Sequence, residues 1–200
     1  MIKIEKHLDL LEDVFKTYGI TSLQRKAHFL AQIGHESSSL RILEENFNYS
    51  ITALLAKFSR ARISRDDCYT YGRRQGKKAD QVALANILYG GDWGRRNLGN
   101  TEPNDGWNYR GRGALQCTGR ANYLNYSKVT GIDFIKNPDL MLDLRNGLHF
   151  AGWFWELNGC NPLADLDALA KITKVINGGW NGLRERKLEL DKYLTYYNSL

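Results

Sequence analysis

Residues 34 to 50 read GHESSSLRILEENFNYS, a short run that holds the end of one helix, a turn and the start of another. Upstream of it, Thr21 and Gln24 fit a capping box. Leu23, Ala27, Leu30, Ala31 and Gly34 then form a stripe at three- and four-residue steps, which predicts a helix with His35 and Glu36 near its C-terminal end. Downstream, Ser50 predicts the cap of a helix holding Ile51, Leu54, Leu55 and Phe58. A carboxyl on a last helical turn with Phe29, Ile33 and Leu40 as neighbours is expected to be partly desolvated. That raises its pKa and suits a general acid. Nine residues on, Glu45 follows Glu44 past the helix end, so a second carboxylate can face the first across a cleft formed by the turn. Glycoside hydrolysis uses one protonated carboxyl for the leaving oxygen and one carboxylate to activate water or attack. Two glutamates at this spacing equally fit solvated or helix-capping positions, and spacing alone leaves both readings open.

The same periodicity extends in both directions. Leu8, Leu11, Phe15 and Tyr18 predict a helix closed by Gly19, and Asp80 predicts the cap of a helix running to Tyr89 and stopping at Gly90-Gly91. The stretch 90–113 is rich in glycine, asparagine and charge without a helical period, and it reads as loop plus a short hairpin. Helical patterning resumes over Asn122 to Val129 and ends at Gly131. Asn137-Pro138 reads as a cap and first-turn proline opening the run LHFAGWFWEL, and further helices fit Asp165 to Ile176 and Leu183 to Tyr197. No repeat, low-complexity segment or linker interrupts the chain, and residues 1–200 are expected to form one domain.

Composition narrows the function classes. The first residues, MIKIEKHLDLLEDVF, mix charge and apolarity instead of forming a secretory signal, and no later run reaches membrane-spanning length. A soluble product made in the cytoplasm is expected. Cys68, Cys117 and Cys160 are odd in number and widely spaced, which argues for free thiols over a disulfide framework or a zinc site. A net charge of +6 and a pI near 9.2 favour anionic partners, whether nucleic acid, membrane surface or wall polymer. The basic run Arg60, Arg62, Arg65, Arg73, Arg74, Lys77 and Lys78 reads as a solvated face, or as a footprint for an anionic envelope surface. Nucleic-acid binding is not expected, because these charges share no predicted helix face and no recognition motif is present.

Three segments in order, GHESSSLRILEENFNYS, NYRGRGALQCTGRANY and ITKVINGGWNGLRER, resemble the family 19 glycoside hydrolases, and most of all their phage and bacterial endolysin branch. The resemblance implies a mainly α, lysozyme-like helical domain with a short β-hairpin beside the active-site cleft. By position it implies Glu36 as general acid, Glu45 as general base and Thr118 as the hydroxyl that holds the attacking water. It further implies that Gln116 binds sugar, that Asn177 binds an acetamido group, that Arg186 stands near the acid, and that His35, Ser38 and Tyr109 line the cleft. Arg186 would favour ionised carboxylates and so oppose the desolvation of Glu36. A water poised on the face opposite the acid gives single displacement and inversion. No cofactor and no metal are implied.

This resemblance implies an endolysin that hydrolyses the β-1,4 bonds of peptidoglycan glycan strands and so lyses a host cell. It would act as a monomer, made in the host cytoplasm and released to the periplasmic wall by a holin-type partner. A chitinase acting on N-acetylglucosamine polymer is the alternative, since both polymers share linkage and acetamido groups. Small size, absent plant-type loops and the absence of a signal peptide favour peptidoglycan. A non-catalytic glycan-binding module would have no need of Glu36, Glu45 and Thr118 together. The chain departs from plant members at Asn181, where they carry a further glutamate, and at Cys117, usually aliphatic. Trp93 and Trp107, in the glycine-rich stretch, either stack on sugar or anchor the loop. Phe150, Trp153, Phe154 and Trp155 read as core.

Overall fold

A computed structural model describes residues 6–199, and the first five residues of the N-terminal stretch read above lie outside it. The described chain is mainly helical, and its contacts cluster into two units. Of the described residues, unit 1 comprises those within 6–43, 113–116 and 141–199, and unit 2 comprises 44–112 and 117–140.

Unit 1 contains α1 (Leu8–Thr17), α2 (Leu23–Glu36), α9 (Leu144–Leu157), α10 (Cys160–Asp165), α11 (Leu169–Asn177) and α12 (Leu183–Tyr197). Its core gathers Val14, Phe15, Phe29, Ile33, Leu148, Trp155, Ile172 and Tyr193. Helix α2 is central, with the unbroken run Ala27 to Gly34 buried. Phe29 meets Phe15 and Trp155 edge to face, and the Trp155 indole donates to Asn161 (2.8 Å), so the largest buried ring also has its polar atom satisfied. The cap of α2 is Ser22, whose hydroxyl accepts from Arg25 N (3.2 Å), one residue later than the predicted Thr21. Pro138 opens a 3-10 turn, Pro138–Leu142, and α9 starts only at Leu144 under the side-chain cap of Asp143. The helix expected from Asp165 is interrupted at Asp167, which adopts a left-handed backbone (φ +51°) between α10 and α11.

Unit 2 contains α3 (Ile51–Lys57), α4 (Arg65–Tyr71), α5 (Gln81–Tyr89), α6 (Gly91–Leu98), α7 (Asp105–Asn108) and α8 (Arg120–Thr130) around Phe47, Leu54, Ile63, Cys68, Leu84 and Leu88. Ser50 and Asp80 cap α3 and α5 as expected. The stretch 90–113, expected to be loop and hairpin, instead forms two short helices. Two of its glycines are there for packing: a Cβ at Gly94 would strike the Tyr89 carbonyl, and one at Gly106 would strike the backbone of Ala85. Close helix approach has outweighed the low helical propensity of glycine. The expected hairpin is reduced to isolated antiparallel bridges, Glu44 with Arg112 and Arg112 with Cys117. Of the basic run, Arg60 and Arg62 lie in a turn before α4, Arg65 opens α4, and Arg74 and Lys77 bridge a tight turn after it.

Candidate active site

Glu36 is the last residue of α2, and its carboxylate accepts from the Arg186 guanidinium of α12. Arg186 is 1% exposed and also donates to Gln32 and to the Asn181 carbonyl. Gln32 stands four residues before Glu36 on one helix face, which is why a single guanidinium reaches both. Its amide continues to Thr173 (3.4 Å). His35 packs against Gly182, where a Cβ would collide with the imidazole. Burial and then the Arg186 charge push the His35 pKa below its ordinary value, partly offset by Glu36. The imidazole is therefore neutral near pH 7. Asn177 ends α11 and donates to Asn181 O (3.3 Å), the carbonyl that Arg186 also engages. Unit 1 thus brings Glu36, His35, Arg186 and Asn177 into one polar network. Gln116, on the same unit, is half-buried with a left-handed backbone (φ +54°) and donates to Gly113 O (3.3 Å).

The chain leaving Glu36 turns sharply. Ser38, Ser39 and Leu40 have φ of +50°, +60° and +62°, three successive left-handed residues without a glycine. Buried Ser37 holds them: its hydroxyl donates to Ile33 O and accepts from Leu40 N (2.8 Å). Ser39 N donates to Gly34 O (2.7 Å), and Arg41 closes on the Ser38 carbonyl (2.8 Å).

Glu45 belongs to unit 2 and, among the described residues, is held without an ion pair. Tyr89 donates its hydroxyl to Oε1 (2.6 Å), and Gly111 N donates to Oε2 (3.2 Å). Burial raises the Glu45 pKa, opposed by Tyr89, Gly111 and the Arg110 charge. Glu44 is differently placed: its carboxylate pairs with Arg110, which lies over the Trp107 ring (3.8 Å). Register adds a further relation. Glu44 pairs with Arg112 and Arg112 with Cys117, both antiparallel. The ladder stops there: Glu45 N donates to Gly111 O (2.8 Å), but Gly119 N bonds the Tyr109 carbonyl (2.8 Å), one residue off the Arg112–Cys117 register, so Thr118 follows the last paired residue and lies at a break in the pairing. Thr118 is half-buried, and its carbonyl accepts from Asn122 (2.9 Å).

Tyr109, expected at a cleft, is 4% exposed and donates to Ile135 O (3.2 Å). Its carbonyl accepts from Gly119 N (2.8 Å), so it braces the backbone next to Thr118. Trp93 and Trp107 lie under Arg62 (3.3 Å) and Arg110 (3.8 Å). Sequence reasoning missed Gln32, Tyr89 and Gly111. The four-residue spacing from Glu36 could have found Gln32, whereas Tyr89 reads as the apolar end of α5 and carries no local signal. The three thiols are free and buried, and burial pushes Cys160 up to about 12. Among the described residues no group of three or more His, Cys, Asp or Glu could hold a metal ion, and no helix is long and apolar enough to cross a membrane.

No family model matches the chain. It is 36% identical over 168 residues to a glycosyl hydrolase family 19 domain-containing protein of Haemophilus influenzae, covering 84% of this chain and 78% of that one. A shorter match, 32% over 99 residues, is to an endochitinase of Arabidopsis thaliana, covering 48% of this chain and 34% of that one. Among solved structures, a bacterial family 19 chitinase superposes with TM-score 0.60 at 16% identity, over 95% of this chain and 84% of that one. Chitinase C from Streptomyces griseus superposes with TM-score 0.55 at 17% identity, over 95% and 68%. These two share the mainly helical, lysozyme-like fold.

Proposed function

We propose that this chain, which belongs to glycosyl hydrolase family 19 and is a glycosidase, cleaves the β-1,4-linked glycan of bacterial peptidoglycan by an inverting mechanism with Glu36 as acid and Glu45 as base. Glu36 protonates the glycosidic oxygen as the bond to the anomeric carbon breaks. Glu45 takes a proton from a water that attacks that carbon from the opposite face, and Thr118 holds this water by its hydroxyl. The new hemiacetal has the inverted configuration, and the proton gained by Glu45 returns to Glu36 through solvent. Inversion requires the two carboxyls to stand ~6.5–9.5 Å apart, leaving room for the water.

The observation that carries this reading is the setting of Glu45, a carboxylate held by the Tyr89 hydroxyl and the Gly111 amide, with Thr118 one residue past the Arg112–Cys117 pair of the same small bridge. A retaining enzyme would use its second carboxylate as nucleophile and would need no such hydroxyl partner. Tyr89 and Gly111 favour the ionised form of Glu45, as a base requires. Arg186 fixes the position of Glu36, while Gln116 and Asn177 bind the sugar chain and Ser38 and His35 line its path. We place the activity in a single-domain monomeric endolysin, released to the wall through a membrane pore made by a partner protein.

Chitinase action is the second reading, favoured by the names of the Arabidopsis relative and of the two solved structures. Mass spectrometry of peptidoglycan and chitin digests separates the two by substrate and by the new reducing-end sugar, and proton NMR of fresh product reads the anomer. Release of inverted product from peptidoglycan, abolished in Glu36→Gln and Glu45→Gln, is expected. Unchanged cleavage by both variants removes the mechanism, and cleavage of chitin alone removes the peptidoglycan assignment.

A further inference from the structure

We infer that Trp180 and Lys174 form a sugar subsite that prefers an acidic N-acetylated sugar, one bearing a carboxylate as muramic acid does, over neutral N-acetylglucosamine. The inference deepens the function proposed above and rests on a glycan being the substrate. Trp180 is 63% exposed. The other tryptophans are covered: Trp155 is buried, Trp153 packs on the core, and Trp93 and Trp107 lie under arginines. An indole left open to water at one loop, when the rest are covered, is a ready platform for the flat C–H face of a pyranose ring.

The loop that carries it is anchored to the polar network of Glu36. Leu183 N donates to Trp180 O (3.2 Å), and the next carbonyl, that of Asn181, accepts from Asn177 and from the same Arg186 that holds Glu36. The Trp180 backbone is thus fixed relative to the acid. Approach is open, since a Cβ built at Gly178 or Gly179 would meet nothing within 4 Å. Asn177 donates through Nδ2, and its Oδ1 is an acceptor matched to an acetamido N–H.

Charge supplies the selectivity. The Lys174 ammonium lies over the Trp180 ring, 5.5 Å from its centroid and farther than the arginines over Trp93 and Trp107. The indole therefore stays largely exposed, and the ammonium is close enough to meet a carboxylate on a sugar stacked on the open part of the ring. Residues 168–184 contain Lys171, Lys174 and Arg184 and no acidic side chain, so nothing on this segment competes for the cation. A neutral sugar gains only the stacking and the acetamido contact. An acidic one gains the ammonium as well.

The test uses the full chain with Glu36→Gln, so that ligands persist. The probes are peptide-free oligomers of alternating N-acetylglucosamine and N-acetylmuramic acid, and chitohexaose. Calorimetric titration is expected to show Trp180→Ala weakening both by about tenfold. Lys174→Ala is expected to weaken the acidic oligomer by about threefold and leave chitohexaose unchanged. The fluorescence change on binding should vanish in Trp180→Phe, a variant that keeps a ring and the fold. The subsite is overturned if Trp180→Ala binds both probes like its parent, if Lys174→Ala treats the two probes alike, or if the parent binds neither. Hydrolysis by the chain with Glu36 intact is read separately, so absent cleavage refutes the proposed function without deciding the subsite.

Discussion

At the end of α2, Glu36 meets a guanidinium that is 1% exposed, whereas in unit 2 Glu45 receives a phenol and a backbone amide. The two settings stabilise negative charge by different physics. A buried cation binds a carboxylate strongly but leaves a large unpaired charge if either partner is lost. Neutral donors orient a carboxylate with less electrostatic stabilisation, so burial still raises the Glu45 pKa. Arg186 also spans Gln32 and Asn181, tying catalytic geometry in unit 1 to its packing. Tyr89 serves one oxygen of one carboxylate. A charged clamp should therefore fail in stability, and a neutral one in reactivity.

Arg186→Ala breaks the comparison hardest. It leaves Glu36 and Gln32 without their common donor and should cost ~3–5 kcal/mol of stability, read as a lowered denaturation midpoint with loss of activity. Wild-type stability in this variant would mean that the guanidinium is not the clamp it resembles.

Tyr89→Phe tests the other setting. Losing a hydrogen bond to a carboxylate is worth about 1.5–3 kcal/mol, and the expected readout is kcat lowered at least tenfold with KM little changed. The pH profile carries the sign. The folded pKa of Glu45 lies above its unfolded value of 4.5, so activity falls as pH drops through the folded pKa. Removing Tyr89 raises that pKa further and moves the acid limb to higher pH. For stability the same shift works the other way: Glu45's contribution is full below pH 4.5 and is lost as pH rises through the folded pKa. An acid limb unmoved in Tyr89→Phe would sink the assignment of Glu45 as base.

Gly111→Ala tests the backbone that holds Glu45. Gly111 does not adopt a left-handed backbone, so alanine is tolerated conformationally, and its methyl is added beside the carboxylate that Gly111 N holds. We expect kcat/KM to drop about tenfold, ~1.4 kcal/mol of transition-state stabilisation, with a melting temperature close to wild type. Equal activity would show that the attacking water lies elsewhere.

Local chemistry explains what the sequence disclosed. Ser50 and Asp80 cap helices, Gly131 closes α8 with φ +74°, and Leu183–Tyr197 stands where periodicity set it. These features depend on neighbours within a few residues. The misses depend on distant partners. Helices α6 and α7 carry glycines that only packing against Tyr89 and Ala85 explains, and Pro138 opens a 3-10 turn in place of α9. At the candidate site, Glu36 and Arg186 form an ion pair, whereas the resemblance implied only that Arg186 stands near the acid. Tyr89 was hidden because its partner lies 44 residues away in the chain.

The smallest effect concerns the turn that leaves Glu36. Non-glycine residues in the left-handed region carry roughly 1–2 kcal/mol of strain each, and Ser38, Ser39 and Leu40 do so in succession. Ser39→Gly relieves one such strain but frees the unfolded chain, leaving a net gain of about 0.5 kcal/mol. A melting temperature raised by one to two degrees, ~2–4 °C per kcal/mol at this size, is expected. Activity separates two explanations of the strain. If the turn merely results from Ser37 capping Ile33 and Leu40, Ser39→Gly stays fully active. If the left-handed run holds Glu36 in place for proton transfer, the same variant is more stable yet slower, and its KM is unchanged because no group that binds sugar has moved.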